Sequence, residues 1–530
     1  MFSLLHLEEN SKRGTAERPI FFQDLNLDQI MDQVTEDWGQ EVRALFYAFP
    51  ESPSEEAYRR AIYDDVKKEE IYDALMEFTM GMRIWKQYTE RRERVLEELQ
   101  KQVWYLREAQ GYVASLERLK EKLEKAEPVS EGMKALLEWI SKGLQKKEFQ
   151  EFRAEVLELW QELSNFRVLL TYEKERFTIA EGKGTGKYDQ FLSECFPTHE
   201  KIFKSPFLGS EDFSNLEEEL VRLFRKKHKD FFERLEHFYK RSYAYVHEGA
   251  LELLTEMGYY LSYAKFQRKM QENDFRFCTP KVTQDAKKAE EKTAEGKKTE
   301  EESAAGKNGD GKRKVSENIF SAKGVYDLAL SLTNLEKGQA VISNDAYLAA
   351  DESFFVLTGP NQGGKTTYAR SLGQLIYFTK MGLDAPAEAA EVPYYQNLWT
   401  HFSVEESAET GRGKLMDELV RLKPMMQKGQ SHCFVVINEL FTTAANYDAN
   451  VMGKRVLEYF IGEHWKGIYV THLCDLSKAC DGVVSLRAGV DANLVQTYQI
   501  QRSEAKELAG ANRQVEKYRL TYEQLKERFA

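Results

Sequence analysis

The sequence is poor in residues that stiffen, cross-link or anchor a chain. It has only 11 prolines in 530 residues, which excludes a collagen-like or proline-rich chain. Its five cysteines, Cys195, Cys278, Cys433, Cys474 and Cys480, are odd in number and scattered. That excludes a disulfide framework and fits reduced thiols. Cys474 and Cys480 lie near His472, but their spacing fits no standard zinc pattern, so no metal is expected on these thiols. Apolar runs are short. Residues 433–437 (CFVVI) are among the longest, far below the roughly 20 that a membrane-spanning helix needs. Residues 1–10 lack a basic start followed by an apolar run, so no signal peptide is expected. The expected location is the cytoplasm, with no membrane partner.

What is present suffices for sizeable cores. Hydrophobic residues are 42% and aromatics 12%, with charged residues at 31%. The 75 Lys+Arg against 87 Asp+Glu give a net charge of −12. This balance argues against global coating of nucleic acid, although net charge hides local basic surface. The length suggests about two to four domains.

Composition divides the chain into three. Residues 1–280 read as an all-α region with long helices. In 91–125, Val95, Leu99, Val103, Leu106, Ala109, Val113, Leu116, Leu119 and Leu123 recur every three to four residues, the pattern of an amphipathic helix or coiled-coil arm. Further long helical stretches are expected over 131–170 and 216–271. Residues 166–179 are richer in β-branched and aromatic types and are a candidate strand pair. Residues 281–318 are expected to be a disordered charged linker, because 281–314 hold no aromatic, Leu or Ile and cannot bury enough apolar surface to offset ordering entropy. In 319–530, strand-like pieces at 353–357, 433–437, 467–470 and 482–486 alternate with helical ones at 366–380 and 449–464. This predicts an α/β domain built on a mainly parallel sheet.

The strongest motif is Gly359-Pro360-Asn361-Gln362-Gly363-Gly364-Lys365-Thr366, a G-x-x-x-x-G-K-[ST] loop between an expected strand and helix. Its glycines let several backbone N–H groups turn toward phosphate, and the helix N-terminus adds positive potential. Lys365 is expected on the β and γ phosphates of a nucleotide and Thr366 on Mg²⁺. A second motif, residues 434–439 (FVVINE), is an apolar strand ending in Asn438 and Glu439. Glu439 is the candidate base, and Asn438 meets Mg²⁺ through water without supplying negative charge. A third is His472, just after an expected parallel strand and so beside the nucleotide, as a candidate γ-phosphate sensor.

These segments resemble the MutS family. The family loop G-P-N-M-G-G-K-S-T is similar to GPNQGGKTT at 359–367, which adds Thr367. D-E-I-G-R-G-T-S-T-Y-D-G aligns without gaps on 438–449 (NELFTTAANYDA), matching Glu439, Tyr447 and Asp448. The A-T-H switch resembles 470–472, and the I-A-N segment resembles 342–344, which implies Asn344 at the nucleotide and Val341 near the adenine. The trans-acting signature G-R-S-T-F-M-V-E-M resembles 411–419, with Gly411 and Arg412 retained and Gly413 in place of the serine. Residues 516–529 look like the closing helices, and 45–60 echo a segment before the family's levers.

The resemblance implies an ABC-type ATPase domain over 319–530. Residues 1–280 would then form a core, lever and clamp region. It also implies ATP and Mg²⁺ as cofactors, a homodimer with composite ATP sites, and arms that clamp duplex or branched DNA. No base-reading motif is visible, so no base-specific readout is expected. Candidate phosphate contacts are the basic stretches 91–94, 145–147 and 225–229. The chain is expected to lack the family's mismatch-reading and connector domains, and Phe231-Phe232-Glu233 is read as part of a helix and not as a wedge. Asn438 and Gly413 imply weak, Mg-dependent, DNA-stimulated hydrolysis. The alternative is a nucleotide-gated scaffold with negligible turnover, acting on structured RNA, ribosomes or a partner protein.

Overall fold

The computed structural model describes residues 2–7, 17–95, 97–173, 176–181, 215–242, 248–283, 318–402, 413–427, 432–491, 495–505 and 521–529. In chain order the helices start with α1 (Phe21–Asp24), α2 (Leu27–Val34), α3 (Gln40–Leu45), α4 (Pro53–Val66), α5 (Glu69–Arg94), α6 (Glu98–Ala126), α7 (Glu131–Gln145) and α8 (Lys147–Asn165). They continue with α9 (Asn215–Lys227), α10 (Lys229–Ser242), α11 (Glu248–Gln271), α12 (Leu328–Lys337), α13 (Lys365–Lys380), α14 (Lys414–Gln427), α15 (Asn446–Gly462) and α16 (Tyr522–Phe529). The strands are β1 (Val168–Glu173), β2 (Arg176–Glu181), β3 (Lys281–Thr283), β4 (Asn318–Val325), β5 (Asn344–Ala349) and β6 (Phe354–Thr358). The remainder are β7 (Ala389–Pro393), β8 (Asn397–Phe402), β9 (Cys433–Asn438), β10 (Lys466–Val470), β11 (Val483–Val490) and β12 (Gln496–Arg502). No helix among the described residues is long and apolar enough to cross a membrane. Two compact units result: Met1–Leu4 with Asp64–Leu261, and Leu5–Tyr63 with Ser262–Ala530.

The first unit is mostly helical. The periodic stretch 91–125 is not one helix. It breaks between α5 and α6, where Val95 is extended (ψ 136°) and 1% exposed. Glu97 then caps α6 by accepting from the backbone N–H groups of Leu99 and Gln100. Burying Val95 at the turn folds the two helices into a hairpin, and heptad-like spacing alone does not distinguish a hairpin from an arm. The expected run over 131–170 likewise divides at Lys146, which is extended between α7 and α8. The region is not all-α, because β1 pairs antiparallel with β2, Thr171 opposite Thr178. Phe231 and Phe232 are 2% and 4% exposed in the α10 core.

The second unit carries two sheets. The larger has the order β12-β11-β6-β10-β9-β8. Strands β11, β6, β10, β9 and β8 run parallel, and β12 closes one edge antiparallel to β11. Strands β6 and β9 are buried at every position, as expected when helices cover both faces of a parallel sheet. The smaller sheet, β3-β7-β4-β5, was not foreseen.

Two boundaries differ from the sequence reading. Residues 5–63 were grouped with the helical region, yet they pack on α13. The Tyr377 hydroxyl donates to the Phe46 carbonyl at 2.7 Å, and Gln374 Nε2 donates to the Leu25 carbonyl at 2.9 Å. Helical periodicity shows that a face is buried, not against which partner. The expected linker 281–318 also begins and ends in sheet: Lys281–Thr283 pairs parallel with Glu391–Pro393, and Asn318 opens β4. Residues 284–317 lie outside the described residues.

Candidate functional site

The glycine-rich loop 359–364 connects a buried strand to a helix. Strand β6 ends at Thr358 and α13 starts at Lys365, with Gly364 capping the helix in the left-handed region at φ 83°. Gly359 has φ 139°, and a Cβ there would approach that of Ala488 to 2.9 Å. Only glycine suits these two positions. The loop closes on itself: the Lys365 ammonium, 4% exposed, donates to the carbonyls of Gly359 and Pro360, each at 2.9 Å. Gln496 Nε2 donates to the Asn361 carbonyl at 2.9 Å, tying β12 to the loop. Asn361, Gln362, Gly363, Gly364, Lys365, Thr366 and Thr367 all line one cavity of about 570 Å³.

Adjacent parallel strands bring the other two motifs to the same sheet edge. Val470 pairs with both Leu357 and Asn438. The backbone N–H of Thr471 donates to the Leu357 carbonyl at 3.0 Å, and that of Glu439 to the Val470 carbonyl at 2.9 Å. The Thr366 hydroxyl therefore reaches Asn438 and donates to its Oδ1 at 2.9 Å. Glu439 Oε1 lies 2.9 Å from His472 Nε2. This contact, before any other cause, holds the Glu439 carboxyl below its ordinary pKa, with help from Lys365. Burial pushes the Lys365 ammonium down, and Glu439 partly offsets that. Two perturbed, mutually interacting charged groups in one cleft mark a candidate functional site.

The loop after β9 is strained. Glu439 has φ 57° and Phe441 φ 63°, a region that costs a non-glycine residue roughly 1–3 kcal/mol. Phe441 is 1% exposed, and its N–H donates to Glu418 Oε2 at 3.1 Å. Glu418 belongs to α14, the helix that begins within the signature-like segment 411–419. Packing of the Phe441 ring and the Glu418 contact thus fix the backbone that carries Glu439.

Other expected residues stand differently. Asn344 lines the cavity, but both ends of its amide serve the β12 backbone: Nδ2 donates to the Tyr498 carbonyl at 3.1 Å, and Oδ1 accepts from the Ile500 N–H at 2.7 Å. Its role here is to join β5 to β12. Gly411 and Arg412 lie outside the described residues. Gly413 precedes α14 with open space where a Cβ would sit, and it does not line the cavity. Sequence reasoning missed Tyr498. This residue lines the cavity with φ 57°, and its ring lies 3.3 Å from where a Gly364 Cβ would be. No motif marks it. Val341 and Ile342 line the same cavity.

The donors fit a nucleoside triphosphate and its cation. The glycine cradle and Lys365 suit phosphate. Thr366 Oγ1 and Asn438 Oδ1 are adjacent neutral oxygens suited to a hydrated divalent ion. Cys278, Cys433, Cys474 and Cys480 form no disulfide, and Cys195 lies outside the described residues. No group of three metal-binding side chains occurs among the described residues.

Comparison with known proteins agrees with this geometry. Residues 355–514 match MutS domain V. The chain is 27% identical over 158 residues to the DNA mismatch repair protein MutS of Shouchella clausii, 29% of this chain and 18% of that protein. It is 29% identical over 148 residues to the protein of the same name from Leuconostoc mesenteroides, 28% of this chain and 17% of that one. It is 26% identical over 204 residues to that of Chlamydia trachomatis, 37% of this chain and 25% of that one. The matched part thus spans a quarter or less of these relatives' own length. The matched segment carries Gly359–Thr366, Asn438-Glu439 and His472, and this part of the chain is a domain of the MutS domain V type.

Proposed function

We propose that the protein binds ATP–Mg²⁺, dimerises through its second unit, and clamps duplex or branched DNA, with slow hydrolysis as a conformational switch. The observation that carries this is the convergence of Lys365, Thr366, Asn438, Glu439 and His472 around one phosphate loop.

Lys365 would exchange its two carbonyl contacts for phosphate oxygens, while Thr366 and Asn438 would hold Mg²⁺, directly or through water. The bound cation would supply charge neutralisation on the phosphates. Glu439, kept ionised by His472, is positioned to accept a proton from water. Asn438 brings an oxygen without charge, so the cation is held less firmly than by a carboxylate and turnover is slow. Dimerisation is supported by an exposed apolar stripe on α14. Met416, Leu419 and Val420 are 55%, 42% and 43% exposed, in and next to the segment 411–419 that resembles the family's trans-acting signature. DNA as the ligand is supported by the relatives, which are named for DNA mismatch repair.

The same Asn438 favours a second reading, a nucleotide-gated scaffold with negligible turnover acting on structured RNA, ribosomes or a partner protein. Binding to homoduplex, mismatched and four-way-junction DNA and to structured RNA, with and without ATP–Mg²⁺ over a salt series, separates the two. The clamp predicts ATP-dependent retention of DNA that is lost in Lys365→Ala. Absence of DNA affinity at moderate salt contradicts it.

A further inference from the structure

We propose that the face formed by α5 and α6 in the first unit docks an acidic amphipathic helix of a protein partner. The two helices run antiparallel in close approach, since a Cβ on Gly81 would collide with the Ser115 hydroxyl. On α5, Met80, Ile84 and Tyr88 follow one another at intervals of four and so share a stripe. Met80 is 59% and Ile84 48% exposed. On α6, Trp104 lies beside Tyr88 with ring centroids 5.5 Å apart. Lower on the same hairpin, Met80, Ile84, Glu77, Arg118 and Lys122 line a groove of about 180 Å³.

The charges on this face are predominantly basic. Arg107 stands 4.9 Å from the Tyr88 ring and 5.8 Å from that of Trp104, and Arg91 stands 5.7 Å from Trp104. Arg118 and Lys122 lie 3.3 Å and 2.5 Å from Glu77. These contacts set four cations against one acid, in a chain whose net charge is −12. The complementary partner is therefore anionic.

The surface also fixes the partner's shape. From Glu77 to Arg91 the stripe runs 14 residues, roughly 21 Å or four helical turns. An occupant with apolar residues at i, i+3, i+4 and i+7 would cover Met80, Ile84 and Tyr88, while its flanking carboxylates met the guanidinium groups. Unpaired nucleotides suit the face less well. The guanidinium groups already lie over Tyr88 and Trp104, where bases would have to stack, and Met80 and Ile84 offer phosphate nothing. The inference does not depend on the nucleotide site.

The test is selection from a display library of 21-residue helices, with apolar and Glu/Asp positions randomised, on the full-length protein. Recovered peptides are then measured by fluorescence anisotropy against wild type, Ile84→Glu and Arg107→Glu, with a 20-nucleotide oligothymidylate as competitor. Circular dichroism checks that both variants fold. The proposal predicts recovered helices with acidic flanks, binding that weakens at least tenfold in each variant, and little competition by the oligonucleotide. It is overturned if no acidic amphipathic helix is recovered or if both variants bind as wild type does. It is equally overturned if the oligonucleotide is the ligand that needs Arg107, or if the face instead mediates self-association abolished by Ile84→Glu.

Discussion

The Thr366 hydroxyl donates to Asn438 Oδ1 across 2.9 Å, so the first turn of α13 and the last residue of β9 meet at one neutral oxygen. A carboxylate at 438 would accept the same bond and add a negative charge beside the cation site. Asn438→Asp is therefore predicted to raise steady-state ATP hydrolysis by about tenfold, a barrier change of about 1.4 kcal/mol. It should also lower the Mg²⁺ concentration for half-maximal rate. A phosphate-release assay over a Mg²⁺ series reads both. An unchanged rate would show that position 438 does not limit turnover.

Glu439 owes its lowered pKa first to His472. A base acts only when ionised, so the acid limb of the pH–rate profile lies below the range of an ordinary glutamate. Removing the imidazole lets the carboxyl return upward. His472→Ala is predicted to move the acid limb to higher pH, whatever happens to the maximal rate. A limb that stays in place would separate Glu439 from the rate.

His401, 1% exposed on β8, makes a 3.3 Å contact from Nε2 to the Glu418 carbonyl. Burial, reinforced by Arg421, holds its pKa down to about 4 from 6.5. The unfolded chain takes up this proton below 6.5, and the folded chain refuses it until about 4. Stability is therefore lost as pH falls through that window, by about 3 kcal/mol for this group. His401→Gln cannot titrate and is predicted to lose less between pH 7 and pH 4.5. Urea midpoints at several pH values check this, and parallel losses would contradict it.

Gly467 lies in β10, between β6 and β9. A Cβ there would run into the Val435 carbonyl and come within 2.8 Å of the Phe354 ring. Neither strand can give way without breaking the ladder, so Gly467→Ala is predicted to destabilise the second unit by roughly 1–3 kcal/mol. Thermal unfolding measures this, and an unchanged midpoint would contradict it.

The convergence of the loop, Asn438-Glu439 and His472 at one sheet edge was legible because each motif is local in sequence. Eight consecutive residues specify the loop, and each partner motif follows a short apolar strand that a parallel sheet aligns with the others. Tyr498 was not legible. It reaches Gly364 only because β12 folds back beside β11, and a lone tyrosine on an edge strand carries no pattern. Asn344 was read as a nucleotide contact by resemblance, while its amide is taken up by the β12 backbone. Alternation and periodicity fixed element types well but assigned partners poorly. Hence residues 5–63 were grouped with the helices they resemble in pattern and not with α13, on which they pack. The break at Val95 was missed because a buried turn residue continues the apolar spacing of the helices on either side.

The most direct test of the account is calorimetric titration of ATP–Mg²⁺ into wild type and Lys365→Ala. Nucleotide binding at the 359–366 loop predicts one site per chain in wild type and at least tenfold weaker binding in the variant. No binding to wild type, or equal binding to both, would contradict it.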